Sequence, residues 1–303
     1  MTNRLRAWLL IVLIAVVCGA GVWSAAWYRS RTLSPAALLK RLPGSNALLL
    51  YVDFAALRRA GVLDLLAGTK VTQDREYQEF VRKTDFNYKQ DLDTAAVAFT
   101  PGGKFLLLRG RFDWKSLRSF VNSENGSCSN SLCRMQGSTE DRRISFFPLQ
   151  ANVMALAVSD DDSAAVRMQT SGSLPLAELP DAPVWMSVPS AVLRSGDLPA
   201  GTRPFARSMQ RAQSVVLSLG VQGNGVAANL DVQCKDSAEA AELVSELRQT
   251  TELLRRMIER EHRKANPADL SGVLTAGSFR FDGSKVLGFW PIQRAFLENV
   301  LGS

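Results

Sequence analysis

Apolar and polar residues follow two different patterns along the chain. The range 7–28 contains no charged residue, and only glycine and serine interrupt its apolar side chains. At 1.5 Å per residue, a helix of this length would span about 33 Å, which is enough to cross a hydrocarbon core of about 30 Å. The pattern predicts a transmembrane helix near the N-terminus.

Basic and aromatic residues flank this apolar run. Amphipathic rings favour the headgroup region of a bilayer, and arginine side chains favour the water beside it. We therefore expect these flanking residues to lie at the membrane interface. The predicted interface residues are Arg4, Arg6, Trp8, Trp23, Trp27, Tyr28, Arg29 and Arg31.

Two alternatives to a retained anchor stay open. The run could be a signal peptide cleaved near Ser24, or a lipid anchor could be attached at Cys18. The basic residues after the run outnumber those before it, so a strict charge count would place the body in the cytoplasm. The short basic head is nevertheless typical of an export signal. We predict a single-pass inner-membrane protein with a periplasmic body.

The remainder of the chain repeats a hairpin followed by a helix. In each unit two apolar-rich strands flank a short turn, and a capping residue or a proline then opens a helix. The third unit ends in a helix from 237 to about 264, which is long enough to project beyond its sheet. The predicted strand pairs are 95–99 with 105–112, 143–149 with 153–159, 214–221 with 226–234, and 271–281 with 286–290.

The order of these units indicates an internal duplication. The range 47–61 aligns with 182–196 at a constant offset, and a pair of hairpin-helix units follows each range. The predicted fold class is α+β, with an N-terminal transmembrane helix followed by two similar halves of antiparallel hairpin-helix units. The predicted domains are a signal anchor at 1–28, a juxtamembrane stalk at 29–46, a first half at 47–172, a linker at 173–183 and a second half at 184–303.

The net charge of +7 raises the question of nucleic-acid binding. The range 1–41 holds six basic residues and no acidic residue, so the remaining 262 residues carry 30 basic and 29 acidic groups. A nearly neutral body predicts no nucleic-acid partner. The expected partners are the lipid bilayer, through 7–28, and one or more proteins.

Cys128 and Cys133 lie close together in a loop rich in Asn, Ser and Gly. A metal site would need further soft ligands nearby, and the only histidine of the chain is His262. We predict a local disulfide between the two cysteines, with two free thiols as the alternative. No metal and no cofactor is predicted.

The candidate catalytic residues form no motif. His262 sits in a charged helix end, and no Gly-x-Ser-x-Gly elbow accompanies any serine. No catalytic residue is therefore predicted. The alternative is a cell-envelope enzyme whose carboxylates pair only in space, as in glycosidases. Its candidate carboxylates are Asp53, Asp91, Asp93 and Asp113.

Three predicted strand segments, at 50–53, 109–113 and 146–149, carry a resemblance to a known group of proteins. Their sequences are Leu-Tyr-Val-Asp, Arg-Gly-Arg-Phe-Asp and Phe-Phe-Pro-Leu. They resemble segments of N-terminally anchored bacterial proteins of unknown function with duplicated α+β bodies. The resemblance implies an architecture and a location and carries no activity. The sequence as a whole predicts a membrane-anchored extracytoplasmic protein that acts by binding or assembly and not by catalysis.

Overall fold

A computed structural model describes most of the chain after residue 33. All twelve strands of the described chain belong to one antiparallel sheet, and helices pack on both of its faces. The described ranges are 34–44, 47–64, 74–137, 139, 141–170, 180–194, 203–222, 225–261 and 264–302.

The strand order places β1 and β8 beside each other in the middle of the sheet. The full order is β11-β12-β10-β9-β8-β1-β2-β3-β7-β6-β5-β4. In chain order the strands are β1 Leu48–Asp53, β2 Leu92–Thr100, β3 Gly103–Gly110, β4 Ser127–Ser129, β5 Leu132–Gln136, β6 Arg143–Gln150, β7 Val153–Ser159, β8 Val184–Val188, β9 Ser214–Gln222, β10 Gly225–Gln233, β11 Ser278–Asp282 and β12 Lys285–Ile292.

Most of the helices begin at a side chain that accepts a hydrogen bond from a backbone N–H, which satisfies a donor that the first helical turn leaves free. Ser34, Asp53, Asp113, Asp236 and Asp269 act in this way. The helices are α1 Pro35–Leu39, α2 Phe54–Arg59, α3 Arg75–Thr84, α4 Tyr88–Asp91, α5 Trp114–Ser123, α6 Ser190–Leu193, α7 Arg203–Ser208, α8 Ser237–Arg260, α9 Leu270–Thr275 and α10 Arg294–Gly302, with 3₁₀ helices at Ala164–Gln169 and Met209–Arg211.

The two halves of the sheet share one order of strands. Outward from β1 come β2, β3, β7 and β6, and outward from β8 come β9, β10, β12 and β11. In each half, the second strand of one hairpin pairs with the second strand of the next. The halves meet where β1 pairs with β8, so the body of the protein is one continuous sheet.

The front face of the sheet carries Tyr51 and Trp185, and the back face carries Leu50 and Met186. Residues that pair directly across antiparallel strands lie on the same face, which extends this assignment over the whole sheet. In the second half, α7, α8, α9 and α10 cover the back face. The core beneath them includes Val215, Leu230, Val232, Leu243 and Leu247.

The first half is covered on both faces. On the front face, Leu38 and Leu39 of α1 and Met168 of a 3₁₀ helix pack with apolar residues of β1, β2, β3 and β7. On the back face, Leu117 and Val121 of α5 pack in a smaller cluster. The range 29–46, predicted as a stalk, is described only in part, and its helix α1 packs against the sheet.

The prediction of a membrane anchor needs correction. The longest described helix, α8, has 24 residues but carries charged side chains on every turn, and no helix of the described chain is long and apolar enough to cross a bilayer. The predicted span 7–28 and its interface residues, from Arg4 to Arg31, lie outside the described residues. For the part of the chain that the structure describes, the predicted transmembrane helix and the single-pass inner-membrane location are wrong. The supported fold class is α+β with one large antiparallel sheet.

Candidate functional site

The front face of the second half is concave and encloses a cavity volume of about 1010 Å³. No described helix or strand covers it. Five strands, β8 to β12, contribute alternate side chains to it, because successive residues of a strand point to opposite faces. We call this surface the open face. It is defined by Ser187 of β8, Ser214, Val216 and Ser218 of β9, Asn229, Asp231 and Gln233 of β10, Lys285, Leu287 and Phe289 of β12, and Ser278 and Arg280 of β11.

One row of directly paired residues shows how the front face changes between the halves. In the first half the row runs through Ala155, Leu107 and Ala96, all fully buried under α1 and the 3₁₀ helix. In the second half it continues through the open-face residues. We call eight consecutive residues of this row the central row: Ala155, Leu107, Ala96, Tyr51, Trp185, Ser218, Asn229 and Phe289.

Residues of the central row in the first half have equivalents in the second half. Counted from the last residue pair of each hairpin, Thr100 with Gly103 and Gln222 with Gly225, Leu107 of β3 corresponds to Asn229 of β10, and Ala96 of β2 corresponds to Ser218 of β9. Buried apolar residues in the first half are therefore replaced by a carboxamide and a hydroxyl in the second. The polarity of the open face therefore comes from its residue types, because equivalent positions of the first half carry apolar side chains.

The middle strand of the open face carries three planar polar side chains in a file: Asn229, Asp231 and Gln233. The Nε2 of Gln233 donates hydrogen bonds to the hydroxyl oxygen of Ser284, at 2.8 Å, and to the backbone carbonyl of Cys234, at 3.0 Å. These bonds fix the orientation of the carboxamide, because its donors are already directed to one side. The carboxamide oxygen of Gln233 is an acceptor held in a defined direction.

The charges of the open face nearly cancel. Lys285 lies 4.0 Å from Asp231, measured from Nζ to Oδ2, and it pairs across the hairpin with Asp282. Arg280 lies two residues before Asp282 on the same face of β11. An exposed ion pair of this length contributes little to stability. Because the basic and acidic side chains nearly balance, the open face presents polar groups without a strong electrostatic field of either sign.

Tyr51 and Trp185 separate the open face from the covered core. Their rings stack with centroids 5.5 Å apart and planes inclined by 20°. Burial raises the pKa of Tyr51 to about 12, with a smaller contribution from the charge of Asp53. The phenol is therefore neutral throughout the physiological range, and this buried pair marks the boundary between the covered core and the open face.

The four carboxylates of the predicted enzyme alternative do not meet in a cleft. Asp53 accepts from the backbone N–H of Ala56 at 2.7 Å and caps α2. Asp113 caps α5, and the hydroxyl of Ser116, with the backbone N–H groups of Ser116 and Lys115, lowers the pKa of its carboxyl.

The other two carboxylates lie near each other but each has a basic partner. Asp91 accepts from Arg111 at 2.8 Å and from the backbone N–H of Asn87 at 2.8 Å, and Asp93 lies 3.4 Å from Arg58. None of the four lines the open face. Their contacts are those of helix caps and surface ion pairs.

Cys128 and Cys133 are joined by a disulfide across the β4–β5 hairpin, where they are directly paired. Cys133 is buried against Val121 and Phe146, so the bond fastens the hairpin to α5 and β6. Within the described ranges, no group of three or more His, Cys, Asp or Glu side chains could hold a metal ion. His262 lies outside the described residues.

Reduction of this disulfide should destabilise the protein modestly. Closing so short a loop removes chain entropy from the unfolded state worth about 2 kcal/mol. We expect dithiothreitol to lower the free energy of unfolding by that amount in the wild-type protein, as measured by urea denaturation. The double variant Cys128→Ala and Cys133→Ala should start lower and not respond to the reductant. An equal response of both proteins would contradict the assignment.

Both edges of the sheet are poorly suited to adding a strand. β4 has only three residues, and at the other edge the backbone carbonyl of Phe279 in β11 already accepts a hydrogen bond of 2.7 Å from Arg248. Short or capped edges discourage pairing with another chain. The long helix is also tied down, because Arg255 donates to the carbonyl of Thr275 at 3.1 Å. The open face is thus the better candidate site.

The comparisons with known proteins identify only distant structural neighbours. No protein-family model matches the chain, and no curated protein matches it. Among solved structures, crystal form I of TP0453 is 12% identical, covers 88% of this chain and 98% of its own, and has a TM-score of 0.47. Crystal form III of TP0453 is 12% identical, covers 87% and 98%, and has a TM-score of 0.48. At this distance the likeness says nothing about function.

Proposed function

We propose that this is a non-catalytic binding protein and that the open face is its binding surface. The observation that supports the proposal is the contrast along the central row. The same face of one sheet is apolar and covered in the first half and polar, concave and uncovered in the second. A concave surface with a few convergent polar groups is the usual setting of a ligand site.

The residues of the open face favour a ligand-binding surface over a sheet face that only contacts water. Val216, Leu287 and Phe289 lie half-buried among its polar side chains, so the surface combines apolar contact area with polar groups, as ligand sites do. Among the residues that line the open face, Asp231 is the one carboxylate, and Lys285 lies 4.0 Å from it, while Asp282 lies at the hairpin turn outside the lining. Acid-base catalysis of the glycosidase type needs two carboxylates about the scissile bond, so the arrangement favours binding.

Thiol protection tests the proposal. Ser218→Cys places a reactive group in the centre of the open face, and Ser245→Cys places one on the exposed side of α8. We expect maleimide to label Cys at 218 several-fold more slowly in the lysate of the native organism than in purified full-length protein, because a bound ligand would shield it. Cys at 245 should be labelled equally fast in both.

The unmodified protein gives the background from its native cysteines. Equal lysate-to-purified rate ratios at 218 and 245 would contradict binding at the open face. Protection at 245 alone would move the binding surface to α8.

A further inference from the structure

We infer that the ligand of the open face is an uncharged oligosaccharide, an inference that rests on the proposed function of this face. The first argument is the chemistry of the β10 file. Asn229 offers amide donors and a carbonyl acceptor, and Asp231 offers acceptors only. Gln233 offers its carboxamide oxygen, because its amide already donates to Ser284 and Cys234. Neighbouring hydroxyls of a sugar ring both donate and accept, so they can pair with such planar groups two bonds at a time. Ser214, Ser218 and Ser278 extend the same chemistry to either side.

The charge of the open face points to an uncharged ligand. Recognition of phosphate, nucleic acid or an acidic polymer relies on an excess of basic side chains that concentrates anions. Here Lys285 lies 4.0 Å from Asp231 and pairs across the hairpin with Asp282, two residues after Arg280. Two basic and two acidic side chains balance on this side of the sheet, so they supply no such excess.

The apolar side chains supply a surface for the carbon-bearing side of a sugar ring. Phe289 pairs directly with Asn229, and Leu287 pairs directly with Asp231, so two of the three polar groups of the β10 file have an apolar neighbour on β12. A ring lying over Phe289 could bury its C–H groups while its hydroxyls reach Asn229. Aromatic side chains contribute large contact areas of this kind at little cost in side-chain entropy.

The position of the site on a face, and not at an edge, disfavours an extended peptide. Peptides that add to a sheet use main-chain hydrogen bonds at a free strand edge. The strands that carry most of the open face, β8, β9, β10 and β12, are paired on both sides. The face extends across five strands, about 19 Å at the usual strand spacing. It therefore suits a short chain of rings crossing the strands.

Calorimetric titration of the full-length protein tests the inference. The probes are maltohexaose, cellohexaose and chitohexaose, with a polyanionic oligosaccharide and an unstructured neutral peptide for comparison. We expect at least one neutral oligosaccharide to bind, and Phe289→Ala and Asn229→Ala each to weaken its affinity by about tenfold. The matched control is Phe281→Ala, on the same hairpin but on the back face, where the side chain is 48% exposed. It should leave the affinity unchanged, and circular dichroism should show that all three variants are folded.

The outcomes separate the inference from the proposed function. If no neutral oligosaccharide binds, or if Phe281→Ala weakens binding as much as Phe289→Ala, the oligosaccharide inference is overturned. Protection of Cys at 218 in the lysate would then still support binding of another ligand at the open face. Binding of the peptide or the polyanion with loss in Phe289→Ala would overturn the inference and keep the site. Failure of both experiments would reject both.

Discussion

Exchanging the residues of the central row between halves should have very unequal effects. Leu107→Asn is expected to lower the free energy of unfolding by about 3–5 kcal/mol, because it removes a fully buried leucine and leaves a carboxamide without partners in an apolar core. Asn229→Leu, at the equivalent position of the second half, should change it by less than about 1 kcal/mol, since the open face is in contact with water.

Urea denaturation followed by circular dichroism measures both values. Leu107→Ala serves as a control, because it removes the apolar contacts without adding a polar group, and its loss should be smaller than that of Leu107→Asn. Losses of similar size in Leu107→Asn and Asn229→Leu would mean that the front face of the second half is covered in solution. The assignment of an open face would then fail.

Replacing Trp185 by Ala should have an effect of similar size. The side chain is 2% exposed, stacks on Tyr51 and belongs to the core of the first half although β8 opens the second. Large-to-small substitution of a buried tryptophan costs about 3–5 kcal/mol, since the cavity is only partly filled by relaxation. We expect the midpoint of chemical denaturation to fall accordingly.

Two milder variants define what the Trp185→Ala result means. Trp185→Phe retains a ring that can pack on Tyr51 and should lose less than Trp185→Ala. Tyr51→Phe keeps the ring and removes only the hydroxyl, so its loss should stay below about 1.5 kcal/mol. A loss below about 1 kcal/mol in Trp185→Ala would show that the junction of the halves is not tightly packed.

The hairpins could be predicted from the sequence because their signals are local. Apolar strands on either side of a short turn predicted 95–99 with 105–112, and the structure has Leu92–Thr100 with Gly103–Gly110. The fourth unit shows where local signals fail. The range 271–281 was predicted as one strand, but Leu270–Thr275 is a helix, capped by Asp269 and held at its end by Arg255. The second of these contacts comes from α8 and is invisible in a local pattern.

Whether a strand is buried on one or both faces of the sheet could partly be predicted from its sequence. Phe105 to Leu108 is an unbroken apolar run, as expected for a strand buried on both faces, whereas Asn229 to Gln233 alternates polar with apolar residues, as expected for a strand buried on one. This alternation is the signal that could have indicated the open face. Which segment covers β3 could not be predicted, because α1 lies about 70 residues before it in the chain.

The alternation along β10 does not show which residues of other strands lie beside it. Ser218, Asn229 and Phe289 become neighbours only through the pairing of β9, β10 and β12, and the register of β12 on β10 depends on packing under α8. A single sequence does not contain that register. For the four candidate carboxylates, local reasoning did not weigh the nearby partners that the structure shows, such as the hydroxyl of Ser116 beside Asp113.

The pairing of β1 with β8 has a consequence for biosynthesis. The ribosome delivers β1 about 130 residues before the strand that completes it, so throughout that interval one side of Leu48–Asp53 has no partner. An unpaired apolar strand is a template for association with other chains. The nascent chain is therefore most exposed to aggregation while the first half is finished and β8 has not yet emerged, and chaperones would have most to do in that interval.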